Sequence, residues 1–249
     1  MYVGAGEAGP GDAAGPFRLE TVDGGTVSSE DAARDGRPLL LVFGSRTCPV
    51  TESAAEGLKA LHDKFGAAVR FVMVQVREAH PGAFIPQPRS AAEKLRHALD
   101  LRRHHRLPFE VAVDDLEGTL HQRLGARPSS AFLLDAQSRI LLRVQWANQV
   151  EALDLALEAV TTGQPLTRTT VTRTPQAVLR TVGFMSRAIR AAGHGASRDT
   201  WRVAPPMALM MTLADFFTFL PPARRGLPVL ALMASVAALA VVAVASFIG

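Results

Sequence analysis

Residues 38–49 read Pro38-Leu-Leu-Leu-Val-Phe-Gly-Ser-Arg-Thr-Cys48-Pro49. The apolar run 39–43 is typical of a strand buried on both faces, as in the centre of a parallel sheet. After a tight turn, Pro49 opens a helical pattern at a position where its missing N–H has no cost. Cys48, the only cysteine of the chain, is therefore expected at a helix N-terminus.

The position of Cys48 predicts a reactive thiol. Unpaired N–H groups and the dipole at a helix N-terminus favour an anion, and such surroundings lower the pKa of a thiol. The alternative is a buried, inert cysteine, since free cysteine is among the most buried residue types. Thr51 stands where a Cys-x-x-Cys motif has its second thiol, which excludes a dithiol mechanism. An external thiol would have to regenerate Cys48.

Composition narrows the class of protein. The 249 residues have a net charge of +4 and one cysteine. A single cysteine excludes an intramolecular disulfide framework and the usual cysteine-rich zinc site. Nothing in the charge balance indicates a nucleic-acid partner. Residues 1–16 are rich in Gly and Ala and show no signal-peptide pattern, so we expect a disordered tail there.

Periodicity over residues 17–163 predicts one α/β domain. The order is hairpin, strand, helix, strand, loop and helix, strand, helix, hairpin and helix. This order is typical of a mixed sheet flanked by helices. The segment 77–90 has no period and three prolines, and it leaves the end of a central strand, where the sites of open α/β sheets gather. Pro128, just before an apolar strand, is a candidate cis peptide.

Several short motifs carry a resemblance to known proteins. They are Phe-Gly-Ser-Arg-Thr-Cys-Pro at 43–49, Glu-Ala-His-Pro at 78–81, Ile-Pro-Gln at 85–87, and Pro128 with Phe-Leu-Leu-Asp at 132–135. Together they resemble thioredoxin-fold redoxins of the peroxiredoxin and thiol-reductase superfamily, over residues 17–162. The variant around Cys48 looks most like the iodothyronine deiodinases, in which selenocysteine occupies this position and the Glu-Ala-His-Pro loop belongs to the active site.

The resemblance implies a thioredoxin-like fold and a thiol-dependent oxidoreductase without a bound cofactor. Cys48 would be the nucleophile, reduced by an external thiol such as a thioredoxin or a low-molecular-weight thiol. The substrate would be a small molecule or a protein disulfide. Ser45 would place its hydroxyl on the thiolate, or cap the turn. Glu78 and His80 would act as a pair that delivers a proton, because the pKa of histidine lies near physiological pH.

Further residues are candidates for binding substrate or a metal ion. The residues expected to bind substrate are Arg46, Thr47, Arg127 and Pro128. The two arginines would attract an anionic substrate or stabilise the thiolate. His104 and His105 suggest a metal ligand pair, but adjacent side chains on a helix do not face each other, so we expect no metal site.

The C-terminal third predicts membrane attachment. Residues 164–206 form a basic linker and an amphipathic helix of the kind that lies on an anionic membrane surface or contacts a partner. Residues 207–249 form a membrane region, in which the apolar run 227–248 is long enough to span a ~30 Å hydrocarbon core. Arg224 and Arg225 precede it, so the positive-inside rule places the redox domain in the cytoplasm. The pattern of residues 207–220 predicts an interfacial or re-entrant helix, or the second arm of a hairpin.

Three functions remain open from the sequence. The leading one is a membrane-anchored, single-cysteine oxidoreductase of the deiodinase-like type. A one-Cys peroxidase is the second, although the proline that its motif has at the position of Leu41 is absent. The third is a non-catalytic thioredoxin-fold module tethered to the membrane, which a raised Cys48 pKa would favour.

Overall fold

The computed structural model describes residues 7–125, 127, 129–166 and 170–248. Within these residues eight strands follow one another in chain order as β1 to β8: Arg18–Thr21, Thr26–Ser28, Leu39–Gly44, Arg70–Gln75, Glu110–Val113, Ala131–Leu134, Ile140–Val144 and Thr170–Val171. The same residues form nine α-helices, α1 to α9: Ser29–Asp35, Pro49–Phe65, Ala91–His105, Thr119–Arg123, Val150–Thr161, Thr174–Ala191, Ala196–Val203, Pro205–Ala214 and Gly226–Ile248.

All eight strands join one mixed sheet in the order β2-β1-β5-β4-β3-β6-β7-β8. The central strand β3 pairs in parallel with β4 and antiparallel with β6. Alternate side chains of a strand point to opposite faces, and both sets are buried here. Leu40 and Val42 join the core beneath α2, α3 and α5, whereas Leu41 and Phe43 join the core on the other face. The predicted thioredoxin-like α/β fold is confirmed.

The parallel pair β3 and β4 positions the candidate site. Helix α2 begins at Pro49, as the proline pattern predicts, and buries Leu58, Leu61 and Phe65 against the sheet. Because parallel strands have their carboxyl ends at the same edge, the turn after β3 and the loop after β4 meet there. The turn after β3 carries Cys48, and the loop after β4 carries the Glu-Ala-His-Pro motif.

Two segments differ from the sequence-based expectation. The disordered tail predicted for residues 1–16 is wrong for residues 8–14, since Gly11 N–H donates to the Ile140 carbonyl at 2.8 Å and Ala14 is buried. Residues 1–6 lie outside the described part of the chain. The predicted linker after residue 163 contributes strand β8, which pairs in parallel with β7. Both segments pair with the edge of β7, because an edge strand has unpaired N–H and C=O groups that can bond to another segment of the chain.

The C-terminal helices form a separate layer against α2. Helix α6 lies along α2, and α8 and α9 pack on α6. Helix α8 has ten residues, too few to cross a bilayer at ~1.5 Å per residue. Among the described residues one helical segment, Pro222–Val244, which overlaps α9, is long and apolar enough to cross a membrane, and little of it is buried by protein.

Candidate active site

Cys48 lies where the sequence predicts it. Strand β3 ends at Gly44, the Cys48 N–H donates to the Ser45 carbonyl at 3.2 Å, and Cys48 is the N-cap of α2. The turn depends on glycine at position 44. A Cβ there would lie 2.9 Å from both the Met73 sulfur and the Thr51 hydroxyl, so a side chain would separate β3 from α2.

The thiol itself is covered rather than exposed. Cys48 is 4% exposed. Burial raises the pKa of the Cys48 thiol, and the Glu78 carboxylate raises it further, whereas the N–H and hydroxyl of Thr51 and the N–H of Val50 lower it. The effect of desolvation on the thiol pKa is therefore larger than the effect of the helix N-terminus. The sequence predicts a lowered pKa for Cys48, whereas in this conformation the pKa is raised. In this conformation Cys48 is a protonated thiol at neutral pH.

The raised thiol pKa makes stability depend on pH. As pH rises above ~8.5, the thiol of the unfolded chain ionises while the folded thiol keeps its proton. The unfolded state then binds fewer protons, so the Cys48 contribution to the free energy of unfolding falls by up to about 1.4 kcal/mol per pH unit. Urea unfolding of the full chain in detergent micelles from pH 7 to 10, compared with Cys48→Ala, isolates this contribution. Parallel pH profiles for the two proteins would contradict it.

Ser45 contacts the neighbouring loop. Its buried hydroxyl accepts a hydrogen bond from the Ala79 N–H at 3.2 Å. Within the described chain, the hydroxyl that acts on the Cys48 sulfur is that of Thr51, one turn into α2. Ser45 therefore ties the turn after β3 to the loop after β4. The sequence places Thr51 at the position of a second thiol, which is the signal that points to its role.

Glu78 is the centre of a buried hydrogen-bond network. Its side chain is fully buried. One carboxylate oxygen accepts from the Thr47 N–H at 2.9 Å and from the Thr47 hydroxyl at 2.7 Å. The other accepts from the Gln75 amide at 2.8 Å and lies 3.0 Å from His97 Nδ1. The carboxylate therefore joins the residue before Cys48 to a histidine on α3.

The histidine whose ring contacts Glu78 is His97. The predicted pairing of Glu78 with the His80 imidazole is therefore wrong. His80 joins this hydrogen-bond network through its backbone N–H, which donates to the Thr47 hydroxyl at 3.1 Å. Burial lowers the pKa of the His80 imidazole. His97 lies on the inward face of α3, three residues after the buried Lys94 and four before the buried Leu101, and this spacing is the signal for it.

His97 also reaches the surface. It lines a cleft of about 350 Å³ together with Phe84, Ile85, Pro86 and Arg96. The hydrogen bonds of Glu78 therefore link His97, at this cleft, to Thr47, the residue before Cys48.

The predicted substrate-binding residues have different positions. Arg46 is buried, with its Nε 2.9 Å from the Asp100 carboxylate, so it is part of the scaffold. Thr47 is fully buried, and its hydroxyl donates a hydrogen bond to the Glu78 carboxylate. Arg127 is half-buried, and its backbone N–H donates to the Ser130 hydroxyl at 2.9 Å. Pro128, with its predicted cis peptide, lies outside the described residues.

The C-terminal helices contact both segments that meet at the carboxyl ends of β3 and β4. The Phe84 N–H donates to the Ala192 carbonyl at 2.8 Å, which fixes the loop after β4 to the end of α6. Asn148 places its side-chain nitrogen 3.0 Å from both the Ser53 hydroxyl of α2 and the Thr181 hydroxyl of α6. Helix α6 therefore holds the loop and the first turns of α2 together around the thiol.

One group of side chains has the composition of a metal site. Glu52 of α2 and His104 and His105 of α3 bring their ligand atoms within 4.8 Å of one another. The expectation that the adjacent histidines cannot converge is wrong, because Glu52 Oε2 lies 2.8 Å from His104 Nε2 and 3.8 Å from His105 Nε2. The spacing along α3 gives no hint of a carboxylate supplied by another helix.

The fold and the motifs agree with comparisons to known proteins. Residues 10–143, more than half of the chain, match the model of the AhpC/TSA family. The type II iodothyronine deiodinase of Sus scrofa is 37% identical over 62 residues, which are 25% of this chain and 23% of that protein. The chain thus matches about a quarter of the length of this curated relative.

Two solved structures are similar in fold. A hypothetical protein from Sinorhizobium meliloti 1021 has a TM-score of 0.53 at 20% identity, covering 65% of this chain and 89% of that one. An uncharacterized conserved protein from Geobacillus kaustophilus gives 0.53 at 20%, covering 65% and 87%. At this identity the likeness concerns the fold alone. With the family match over its sheet and helices, this chain belongs to the AhpC/TSA family of thioredoxin-fold thiol oxidoreductases.

Proposed function

We propose that this protein is a membrane-anchored, thiol-dependent oxidoreductase of the deiodinase-like type, with Cys48 as its single nucleophile. The observation that carries the proposal is the buried Glu78 carboxylate, which connects Thr47, beside the thiol, to His97 at a solvent cleft. A buried carboxylate is costly unless it is fully hydrogen-bonded. Glu78 is hydrogen-bonded through both oxygens, and its position between His97 and the residue before Cys48 supports a role in proton transfer.

The proposed reaction balances with a protonated resting thiol. Cys48 sulfur attacks the halogen of an aryl halide, so the S–X bond forms as the C–X bond breaks. The thiol proton passes through the Glu78 network to the ring carbon, which gives Cys–S–X and Ar–H. Two molecules of an external thiol then return Cys48 to the thiol, with release of a disulfide, halide and a proton. The missing second cysteine makes this external thiol obligatory.

The proposed location is the cytoplasmic face of a membrane. Helix α9 presents exposed apolar side chains from Leu227 to Val244, and its sequence carries no charge. Arg224 and Arg225 precede it, which favours a single-pass C-terminal anchor with the redox domain on the cytoplasmic side. Cellular thiol reductants are available on that side.

Three probes separate the candidate functions. The full chain in detergent micelles is incubated with dithiothreitol and, separately, with an iodinated phenol, hydrogen peroxide or a small disulfide. Iodide release supports the proposal. Peroxide consumption without iodide release identifies a one-Cys peroxidase, in line with the family match. No turnover of any probe leaves a tethered binding module, in line with the covered thiol.

The two histidines give a matched test of the proton route. His97→Gln is expected to lower turnover about 100-fold, because general acid–base groups contribute on that scale. His80→Gln is expected to change it less than about 5-fold, since His80 joins the network through its backbone N–H. Iodide release with dithiothreitol at pH 7 measures turnover in both variants. Equal losses in the two variants would contradict the assignment.

A further inference from the structure

The cluster of Glu52, His104 and His105 lies one turn from Cys48 and takes no part in the proposed chemistry. The Glu52 side chain is 4% exposed, and its Oε2 lies 2.8 Å from His104 Nε2 and 3.8 Å from His105 Nε2. The two rings are 4.6 Å apart and nearly perpendicular. Three donor atoms from two helices therefore converge on one point.

The distances fit a small tetrahedral ion. With metal–ligand bonds of about 2.0–2.2 Å, the donors of a four-coordinate Zn²⁺ are about 3.4 Å apart. The two separations from Glu52 Oε2 lie on either side of this value, and all three ligand atoms lie within 4.8 Å of one another. Side-chain rotations that draw the two imidazole nitrogens together therefore bring all three donors into range. Two imidazoles and one carboxylate are a ligand set that zinc accepts, with water as the fourth ligand. We propose that Glu52, His104 and His105 form a Zn²⁺ site.

The charges around the cluster decide whether a cation can enter. Arg46 and Lys59 lie near, but each has its own carboxylate, Asp100 at 2.9 Å and Glu56 at 2.7 Å. Among the described residues a further cation is Arg187 of α6, whose Nε lies 3.1 Å from Glu52 Oε1. Its side chain is 68% exposed, so it can move into solvent at little cost. Zinc and Arg187 therefore compete for the same carboxylate.

The test measures zinc binding on the full chain in detergent micelles, in a Cys48→Ser background that removes the thiol as a ligand. Competition with a chromogenic chelator should show one Zn²⁺ per chain. Glu52→Gln and His104→Ala should each weaken binding by at least about 10-fold, and His194→Ala, at an exposed histidine, should leave it unchanged. Co²⁺ should give the visible bands of a four-coordinate site in the parent chain and lose them in His104→Ala.

Competition with Arg187 supplies a test that misfolding cannot imitate. Arg187→Gln should tighten zinc binding about 10-fold. Arg190→Gln, which removes an arginine of the same helix that pairs with Asp215 instead, should have no effect. Binding that is absent in the parent chain, or that is the same in the parent, Glu52→Gln and His104→Ala, would overturn the site. An unchanged affinity in Arg187→Gln would overturn the competition.

Discussion

Replacing Glu78 by alanine is expected to lower the free energy of unfolding by about 4 kcal/mol. The substitution removes the acceptor of four hydrogen bonds. The Thr47 N–H, the Thr47 hydroxyl and the His97 ring lose this partner, and the Gln75 amide keeps only its bond to the Val76 carbonyl. Each unsatisfied buried group costs about 1–3 kcal/mol, and partial relaxation keeps the total below the sum. Urea unfolding at pH 7, followed by circular dichroism, measures the loss.

Two further variants separate the structural role of Glu78 from its chemical one. Glu93→Ala removes a partly exposed carboxylate of α3 and is expected to cost less than about 1 kcal/mol. Glu78→Gln keeps the shape, and the unpaired Gln75 Oε1 can accept from the new amide after a flip. We expect it to recover about half of the stability but to lower turnover about 100-fold, since an amide carries no proton. Full turnover in Glu78→Gln would exclude the proton route.

Replacing Cys48 by serine is expected to abolish thiol-dependent turnover, by at least about 1000-fold. Serine has nearly the same shape, but its hydroxyl is a weak nucleophile, and no histidine or other base within the described residues contacts it directly. The fold should survive, because Thr51 offers its N–H and hydroxyl to the new oxygen as it does to the sulfur. The measurement is iodide release from the iodinated phenol with dithiothreitol.

Thr51→Val is the matched control for that experiment. It removes the hydroxyl beside the sulfur while keeping the thiol, so it should reduce turnover by a modest factor of about 10 and raise the pH at which Cys48 is alkylated. Turnover in Cys48→Ser above a tenth of the parent rate would show that another group performs the reaction.

Local patterns explain how much of the candidate site was predictable. The strand, turn, cysteine and proline at 39–49 form one continuous segment, so their geometry follows from near neighbours, and the structure has α2 starting at Pro49 as predicted. Membership of a redoxin family follows from the same segment together with the motif at 78–81. The resemblance in the Glu-Ala-His-Pro motif predicts His80 as the partner of Glu78. The partner is instead His97, nineteen residues on, because a loop and a helix separate the two residues along the chain and the fold brings them together.

Sequence alone determined the central strand, the helix that carries Cys48, the apolar C-terminal helix and the edge of the sheet at which the motifs meet. These features depend on the apolar periodicity of single segments and on the rule that parallel strands end together. Tertiary structure decided the state of the thiol and the pairing of its neighbours. Helix α6, more than a hundred residues away in sequence, packs along α2, and Cys48 at the N-cap of α2 is buried. Loss of water raises the thiol pKa by more than a helix N-terminus lowers it, and that balance depends on which segments pack together.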